Sequence, residues 1–397
     1  MAAPLRFLTA ARGAAAAARR LTPTAAATAA ATAAAAAAGV AAATSAAARR
    51  AVTTAAAAAA AASGVEAVTF DLSGWKGRHL DSLVGFSRQD LEGVLALSAA
   101  LKAAMRTRAV TYTPLTGRTM SMIFQKRSTR TRVSTESGIA ELGGHALFLG
   151  SEDIQLGKAE TLKDTARVLS RYSDVILARV YGHADITALC AESSVPVINA
   201  LSDLHHPLQG LADLMTLQEA YGRLAGLTLG WVGDGNNITH TLLSAAGTLG
   251  FNMRVATPRG YECDAGVVAA ARTAAAAGGV SLHFTHTPEE AVAGADVIVT
   301  DTWVSMGQET EAAARVAAFA GYQVTEALAA RGGAKPDWRF LHCLPRKPHE
   351  VDDAVFYSPT RSLVWDEAEN RKWTVMAVTL AQVLGTVTVP VPRAAAL

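Results

Sequence analysis

Met120-Ser121-Met122-Ile123-Phe124 runs straight into Gln125-Lys126-Arg127-Ser128-Thr129-Arg130-Thr131-Arg132, and Val133 to Leu142 follows with helical spacing up to Gly143-Gly144. The first stretch is short and mainly apolar, as a buried strand is, and the last carries a helix period with a glycine stop. The basic, hydroxyl-rich segment between them is therefore a strand-to-helix turn. Free N–H groups at a helix start, guanidinium groups and the hydroxyls of Ser128, Thr129 and Thr131 would together make a phosphate cradle. A solvated basic turn has the same composition, and this segment alone leaves both readings open.

Helices and short buried strands alternate on both sides of this turn, the pattern of an α/β protein. Leu91 to Met105 is expected as a helix and Ala146 to Leu149 as a strand. The polar run Ser151 to Lys158 is expected as a loop, and Thr161 with Asp164 has capping-box spacing before a helix ending near Tyr172. Val175 to Ala178 is a further buried strand, delivering Arg179 at its carboxyl end, where open α/β sheets bind ligands. A strand at Val195 to Ile198 leads to His205-His206-Pro207-Leu208-Gln209, and Pro207 suits the first turn of a helix running to Gly222. Taken alone, His206 reads as a cap or a satisfied surface residue.

A second α/β unit opens at Leu227 to Val232, followed by Gly233-Asp234-Gly235-Asn236-Asn237-Ile238 and a helix to Gly250. Dinucleotide binding fits poorly: Ile238 holds the third glycine position, and the strand Arg254 to Ala256 ends without the acidic residue a ribose needs. An apolar strand, Asp296 to Thr300, ends in Asp301, with Trp303, Ser305, Met306 and Gly307 beyond it. Arg339 to Leu341 delivers His342-Cys343-Leu344-Pro345-Arg346, where a lone Cys is ordinarily inert core but stands here at a strand end. Asp366 to Leu384 is expected as an amphipathic helix carrying Arg371 near its start.

The 397 residues carry 36 Lys and Arg against 34 Asp and Glu, but the charge is uneven. Residues 1–65 hold 36 Ala, six Arg and no acid, the composition of an organelle transit peptide. The remaining chain has 30 basic against 34 acidic residues, which argues against a nucleic-acid partner. Thr and Arg interrupt the leader too often for a membrane span. Cys190, Cys263 and Cys343 lack CxxC spacing, so neither a disulfide framework nor a zinc site is indicated.

Together these segments closely resemble the ornithine carbamoyltransferase family from about residue 66 to the end. The family's Ser-x-Arg-Thr stands as Ser128-Thr129-Arg130-Thr131 and its His-Pro-x-Gln as His206-Pro207-Leu208-Gln209. Its ornithine motifs stand as Asp301 with Ser305-Met306-Gly307 and as His342-Cys343-Leu344-Pro345, where the similar aspartate carbamoyltransferases have Pro in place of Cys343. Arg346-Lys347-Pro348 and Glu369-Asn370-Arg371-Lys372-Trp373 are similar to the animal mitochondrial form.

The resemblance implies two doubly wound parallel-sheet domains linked by helices and preceded by a disordered leader. These are a transit peptide at 1–63, a carbamoyl-phosphate domain at 66–206 completed by a C-terminal helix 366–397, and an ornithine domain at 221–363. It implies a homotrimer of the mitochondrial matrix with sites at subunit interfaces, working without cofactor or metal. The implied reaction moves the carbamoyl group of carbamoyl phosphate to the δ-amine of L-ornithine, giving L-citrulline and phosphate for the urea cycle and arginine metabolism. Ser128, Thr129, Arg130 and Thr131 would hold the phosphate, with Gln155 reaching in from the neighbouring subunit; relatives hold His or Gln there. Arg179, His206 and Thr131 would hold the carbonyl oxygen. Gln209, Arg371 and the carbonyl groups of Cys343 and Leu344 would hold the amino group. Asn237 and the N–H of Met306 would take the α-carboxylate of ornithine, and Asp301 and Ser305 its α-ammonium. Cys343, coupled to Asp301, would stand by the reacting amine without becoming a covalent nucleophile.

Overall fold

The computed structural model describes residues 65–392 apart from 107, 109, 153, 155–159 and 306. The expected leader 1–63, Gln155 and Met306 thus lie outside the described residues. Strand β1 (Val65–Asp71) and the helix Arg88–Met105 precede a parallel sheet of β2 (Thr119–Phe124), β3 (His145–Gly150), β4 (Val175–Arg179) and β5 (Val197–Leu201), ordered β3-β2-β4-β5. A second parallel sheet holds β6 (Thr228–Val232), β7 (Asn252–Ala256), β8 (Leu282–Thr285), β9 (Val297–Val299) and β10 (Arg339–Leu341), ordered β10-β9-β6-β7-β8. The α/β class and its two doubly wound sheets agree with the expectation.

Side chains alternate across each sheet between two apolar layers. On β4, Val175 and Leu177 enter the main core while Ile176 and Ala178 enter a second one; on β9, Val297 and Val299 divide from Ile298 in the same way. A parallel strand covered on both faces has no polar side to show, which is why these segments read as unbroken apolar runs.

In each sheet the chain reverses direction once. β3 lies on one side of β2 and β4 on the other; β7 lies on one side of β6 and β9 on the other. At such a reversal the loops after two adjacent strands splay apart and leave a crevice at their carboxyl ends. Ser128 to Thr131, Gly233 to Asn237 and Asp301 to Ser305 lie beyond β2, β6 and β9, and Arg179 is the last residue of β4. The β4–β5 register shifts between Ala178 and Arg179, so that Arg179 faces Leu201. Such an irregularity re-aims a side chain at a strand end.

Several boundaries differ from the sequence expectation for local reasons. The helix after β2 is Thr129–Glu141, starting four residues before Val133, because the Ser128 side chain accepts from the Thr131 N–H and caps it there. The strand expected from Val195 is β5, Val197–Leu201. The expected C-terminal helix 366–397 is corrected: the helix is Val364–Leu384, Gly385 (φ +78°) ends it, and β11 (Thr386–Pro392) follows. It is also not amphipathic along its length. Trp373 to Gln382 are all buried, because the helices Arg88–Met105, Thr129–Glu141 and Pro207–Tyr221 pack around it.

The turn after β5 carries a buried histidine. His205 is 5% exposed and packs edge-on against His183 (5.4 Å) and His240 (6.4 Å), with its Nδ1 unpartnered. Burial first, then His183 and His240, push it down to about 4 against the opposite pull of Asp81 and Asp264. A base held below its unfolded value is protonated more readily in the unfolded chain, so stability falls as pH drops from about 6.5 to 4, by on the order of 3 kcal/mol. In His205→Gln the melting temperature should therefore fall less between pH 7 and 4.5 than in the parent; equal falls would place the acid sensitivity elsewhere.

Candidate active site

The carboxyl ends of both sheets line one cavity of about 460 Å³. Its first wall is the turn after β2. Ser128 Oγ caps the helix by accepting from the Thr131 N–H, and its hydroxyl can still donate to a ligand in the cavity it lines, beside the remaining N–H groups at the helix start. Arg130 turns inward and its Nη2 donates to the carbonyl oxygen of Leu344, which is held at φ +64°. Arg132 faces away, paired with Glu136 at 3.0 Å and lying over Phe148.

Arg179 and Arg371, with Arg127 and Arg130 of the turn, make a group of four guanidinium ions on this cavity. Desolvation pushes Arg179 down to about 10; burial, and then Arg179, push Arg371 down to about 9. Both remain charged at neutral pH. Burial first, then Arg371, Arg179 and Arg130, hold the His206 imidazole well below its usual range, so it is neutral. Arg179 Nε and His206 Nδ1 are buried without a partner. A cluster of buried cations with unfilled hydrogen-bonding capacity is complementary to an anion.

The opposite wall carries negative charge. Asp301 accepts from the Cys343 thiol at 2.9 Å and from Asn236 Nδ2 at 2.9 Å. Asn236 caps the helix Asn237–Leu249 through its Oδ1, which leaves its amide N–H₂ free to face Asp301. Desolvation, then the charges of Asp301 and Glu367, hold the Cys343 thiol well above its usual range, so it remains an S–H donor. Asn237 Nδ2 donates to the Ser202 carbonyl at 2.6 Å, and Asn237 and Ser305 both line the cavity. The glycines of the dinucleotide look-alike have a packing cause: a Cβ on Gly235 would lie 2.4 Å from the Cys263 backbone N.

The turn bearing Cys343 is pinned from behind. The Leu344 N–H donates to His342 Nδ1 (2.9 Å), and His342 Nε2 meets Glu350 (3.2 Å), which also accepts from Trp303 N and Lys347 N. His342 N in turn donates to Glu367 Oε2 at 3.0 Å.

Of the residues expected from sequence, Ser128, Thr129, Arg130, Thr131, Arg179, His206, Gln209, Asn237, Asp301, Ser305, Cys343, Leu344 and Arg371 all line this cavity. Sequence reasoning passed over Asn236, Asp213, Glu350 and Glu367. The available signal was an acidic residue four positions from a site residue on one helix: Asp213 after Gln209, and Glu367 before Arg371.

Two parallel sheets meeting over a cavity that sets arginines opposite the Asp301–Cys343 pair define an α/β protein whose site is complementary to an anion. Residues 78–219 match the family described as aspartate/ornithine carbamoyltransferase, carbamoyl-P binding domain, and residues 225–381 match the Asp/Orn binding domain of the same description. The chain belongs to the aspartate/ornithine carbamoyltransferase family, and is a transferase. It is 51% identical over 303 residues to the mitochondrial ornithine carbamoyltransferase of Aquarana catesbeiana, covering 76% of this chain and 86% of that one. It is 52% identical to the mitochondrial ornithine transcarbamylase of Gallus gallus, covering 76% and 85%. Among solved structures, the ornithine carbamoyltransferase of Pyrococcus furiosus is 47% identical with TM-score 0.73, covering 78% of this chain and 98% of that chain. No helix among the described residues is long and apolar enough to cross a membrane.

Proposed function

We propose that this chain transfers the carbamoyl group of carbamoyl phosphate to the δ-amine of L-ornithine, giving L-citrulline and phosphate. The observation that carries this reading is the shared cavity, which sets four guanidinium groups against the Asp301–Cys343 pair. In this reading Ser128, Thr129, Arg130, Thr131 and the helix N–H groups hold the leaving phosphate. Arg179, His206 and Thr131 stabilise the carbonyl oxygen as it gains negative charge. Gln209 Oε1 and the carbonyl groups of Cys343 and Leu344 accept from the carbamoyl N–H₂, while Arg371, which has no acceptor, acts through Gln209.

Asn237 and the Met306 N–H take the ornithine α-carboxylate, and Asp301 and Ser305 its α-ammonium. Cys343 stands by the δ-amine, which attacks directly. The carbamoyl-phosphate domain is 66–206 with the C-terminal helix, and the ornithine domain 221–363. Three copies share sites, each lending Gln155 to its neighbour, and residues 1–63 direct the chain to mitochondria, into the matrix. The relatives whose names carry "mitochondrial" support the mitochondrial part of that reading.

The test is product formation by the purified protein given carbamoyl phosphate with ornithine, putrescine or aspartate in separate assays. Citrulline from ornithine and no product from the other two is expected; carbamoyl-aspartate or carbamoyl-putrescine would overturn the acceptor assignment.

A further inference from the structure

Gln209 lies on the cavity, but both protons of its amide group point away from it. Nε2 donates to Asp213 Oδ1 and to Glu367 Oε1, each at 2.8 Å. Its Oε1 is left facing Arg371 Nη1 and the cavity. Asp213 and Glu367 are each 1% exposed and neither lines the cavity. An amide has no preferred end by shape, since its O and N–H₂ are nearly isosteric. Arg371, which can only donate, holds the oxygen, and two carboxyl groups on the N–H₂ hold the other end, so these partners together fix which end meets the ligand.

We propose that Asp213 and Glu367 are positioning residues that lock the amide of Gln209 with its oxygen toward the ligand, and so make the site select an acyl donor bearing an N–H₂ group. This rests on the proposed function above. The two acids reach Gln209 from different helices, Asp213 from Pro207–Tyr221 and Glu367 from Val364–Leu384. Glu367 Oε2 also accepts from the His342 N–H, so the same carboxyl group aligns the amide with the Cys343 turn. Burial pushes Asp213 up to about 7 and Glu367 well above its usual range, as expected of two acids sharing one proton. The pair thus offers two acceptors to one N–H₂ without two full negative charges standing side by side.

Glu367→Gln tests the lock. The His342 N–H holds the new side chain's oxygen, which turns its N–H₂ against that of Gln209; a flip would set the Gln209 N–H₂ against Arg371, so the amide is pushed out of place and its oxygen loses its alignment on the ligand. The KM for carbamoyl phosphate is expected to rise about tenfold or more, while the inhibition constant of acetyl phosphate, which has the phosphate but no amino group, stays within about twofold. A general loss of structure would raise both together, and that outcome overturns the proposal. Should Glu367→Gln fail to fold, Asp213→Ala and Asp213→Asn carry the same test. Ala frees the amide and should raise KM about tenfold; Asn keeps an acceptor for Gln209, replaces the shared proton with an N–H, and should hold KM within about threefold. Asn performing no better than Ala also overturns the proposal. The parent is assayed alongside: no citrulline from the parent refutes the proposed function and this inference with it, whereas normal parental turnover with unmoved variants refutes this inference alone.

Discussion

Arg130→Gln is expected to lower kcat/KM for carbamoyl phosphate by on the order of 10³, and to raise the inhibition constant of inorganic phosphate at least about tenfold. Of the arginines in the turn after β2, Arg127 and Arg130 both line the cavity, but Arg127 is exposed and Arg130 reaches across to the Leu344 carbonyl; Arg132 is paired with Glu136 over Phe148. Its guanidinium stands where the leaving phosphate gains charge, and one preorganised donor at such a point accounts for about 3–4 kcal/mol of transition-state stabilisation. Arg130 also holds the Leu344 carbonyl, so its removal loosens the turn that carries Cys343. Arg130→Lys separates the two contributions. It keeps the charge and loses the two-pronged geometry, so its loss should be smaller than that of Gln, by about tenfold. Unchanged phosphate inhibition in Arg130→Gln would remove Arg130 from the phosphate site altogether.

The resemblance to Ser-x-Arg-Thr singled out Arg130, but the composition of the turn alone does not separate Arg130 from Arg132. Residues two apart on a helix project about 200° apart, so which of them enters the cavity depends on the rotation of the helix about its axis. That rotation is set by Ser128 capping at Thr131 and by packing on the buried C-terminal helix. The elements that were legible share a physical cause: a buried parallel strand is a short apolar run, and the residues just beyond it are the ones the fold delivers to a ligand. Arg179, Asp301 and Cys343 were all found in that way. The residues that were missed act at one remove. Asp213 lies in an otherwise apolar stretch of helix, and Glu367 resembles an ordinary first-turn acid; only the approach of their two helices puts both on one amide. Asn236 was hidden by its neighbour. Of two adjacent asparagines, the first caps the helix and orients Asp301, and nothing in the dipeptide says which does so. The residue pattern ends the C-terminal helix at Leu384, where it does end; it does not reveal the strand after Gly385, and the domain bound implied by the resemblance extends the helix over it.

Asp301→Asn is expected to lower kcat/KM for ornithine by about 10²–10³ while leaving phosphate inhibition within about threefold. Both oxygens of Asp301 are committed: Oδ1 accepts from Cys343 Sγ and Oδ2 from Asn236 Nδ2. Asn236 cannot turn over to accommodate a new donor, because its Oδ1 caps the helix through Ile238 N and Thr239 N. The variant's N–H₂ must therefore face Cys343, where the thiol loses its acceptor. The variant also loses the charge assigned to the α-ammonium of ornithine, and a hydrogen bond to a charged group contributes about 1.5–3 kcal/mol. A second readout comes from the thiol. The charge of Asp301 helps hold Cys343 above its usual range, so removing it lowers the thiol's pKa, and iodoacetamide should label Cys343 faster at a given pH than in the parent. The sign separates the two roles of the carboxylate. Faster alkylation with intact ornithine turnover would leave Asp301 as a neighbour of Cys343 alone, whereas loss of ornithine turnover with faster alkylation is the outcome expected of a carboxylate that serves the thiol and the α-ammonium together.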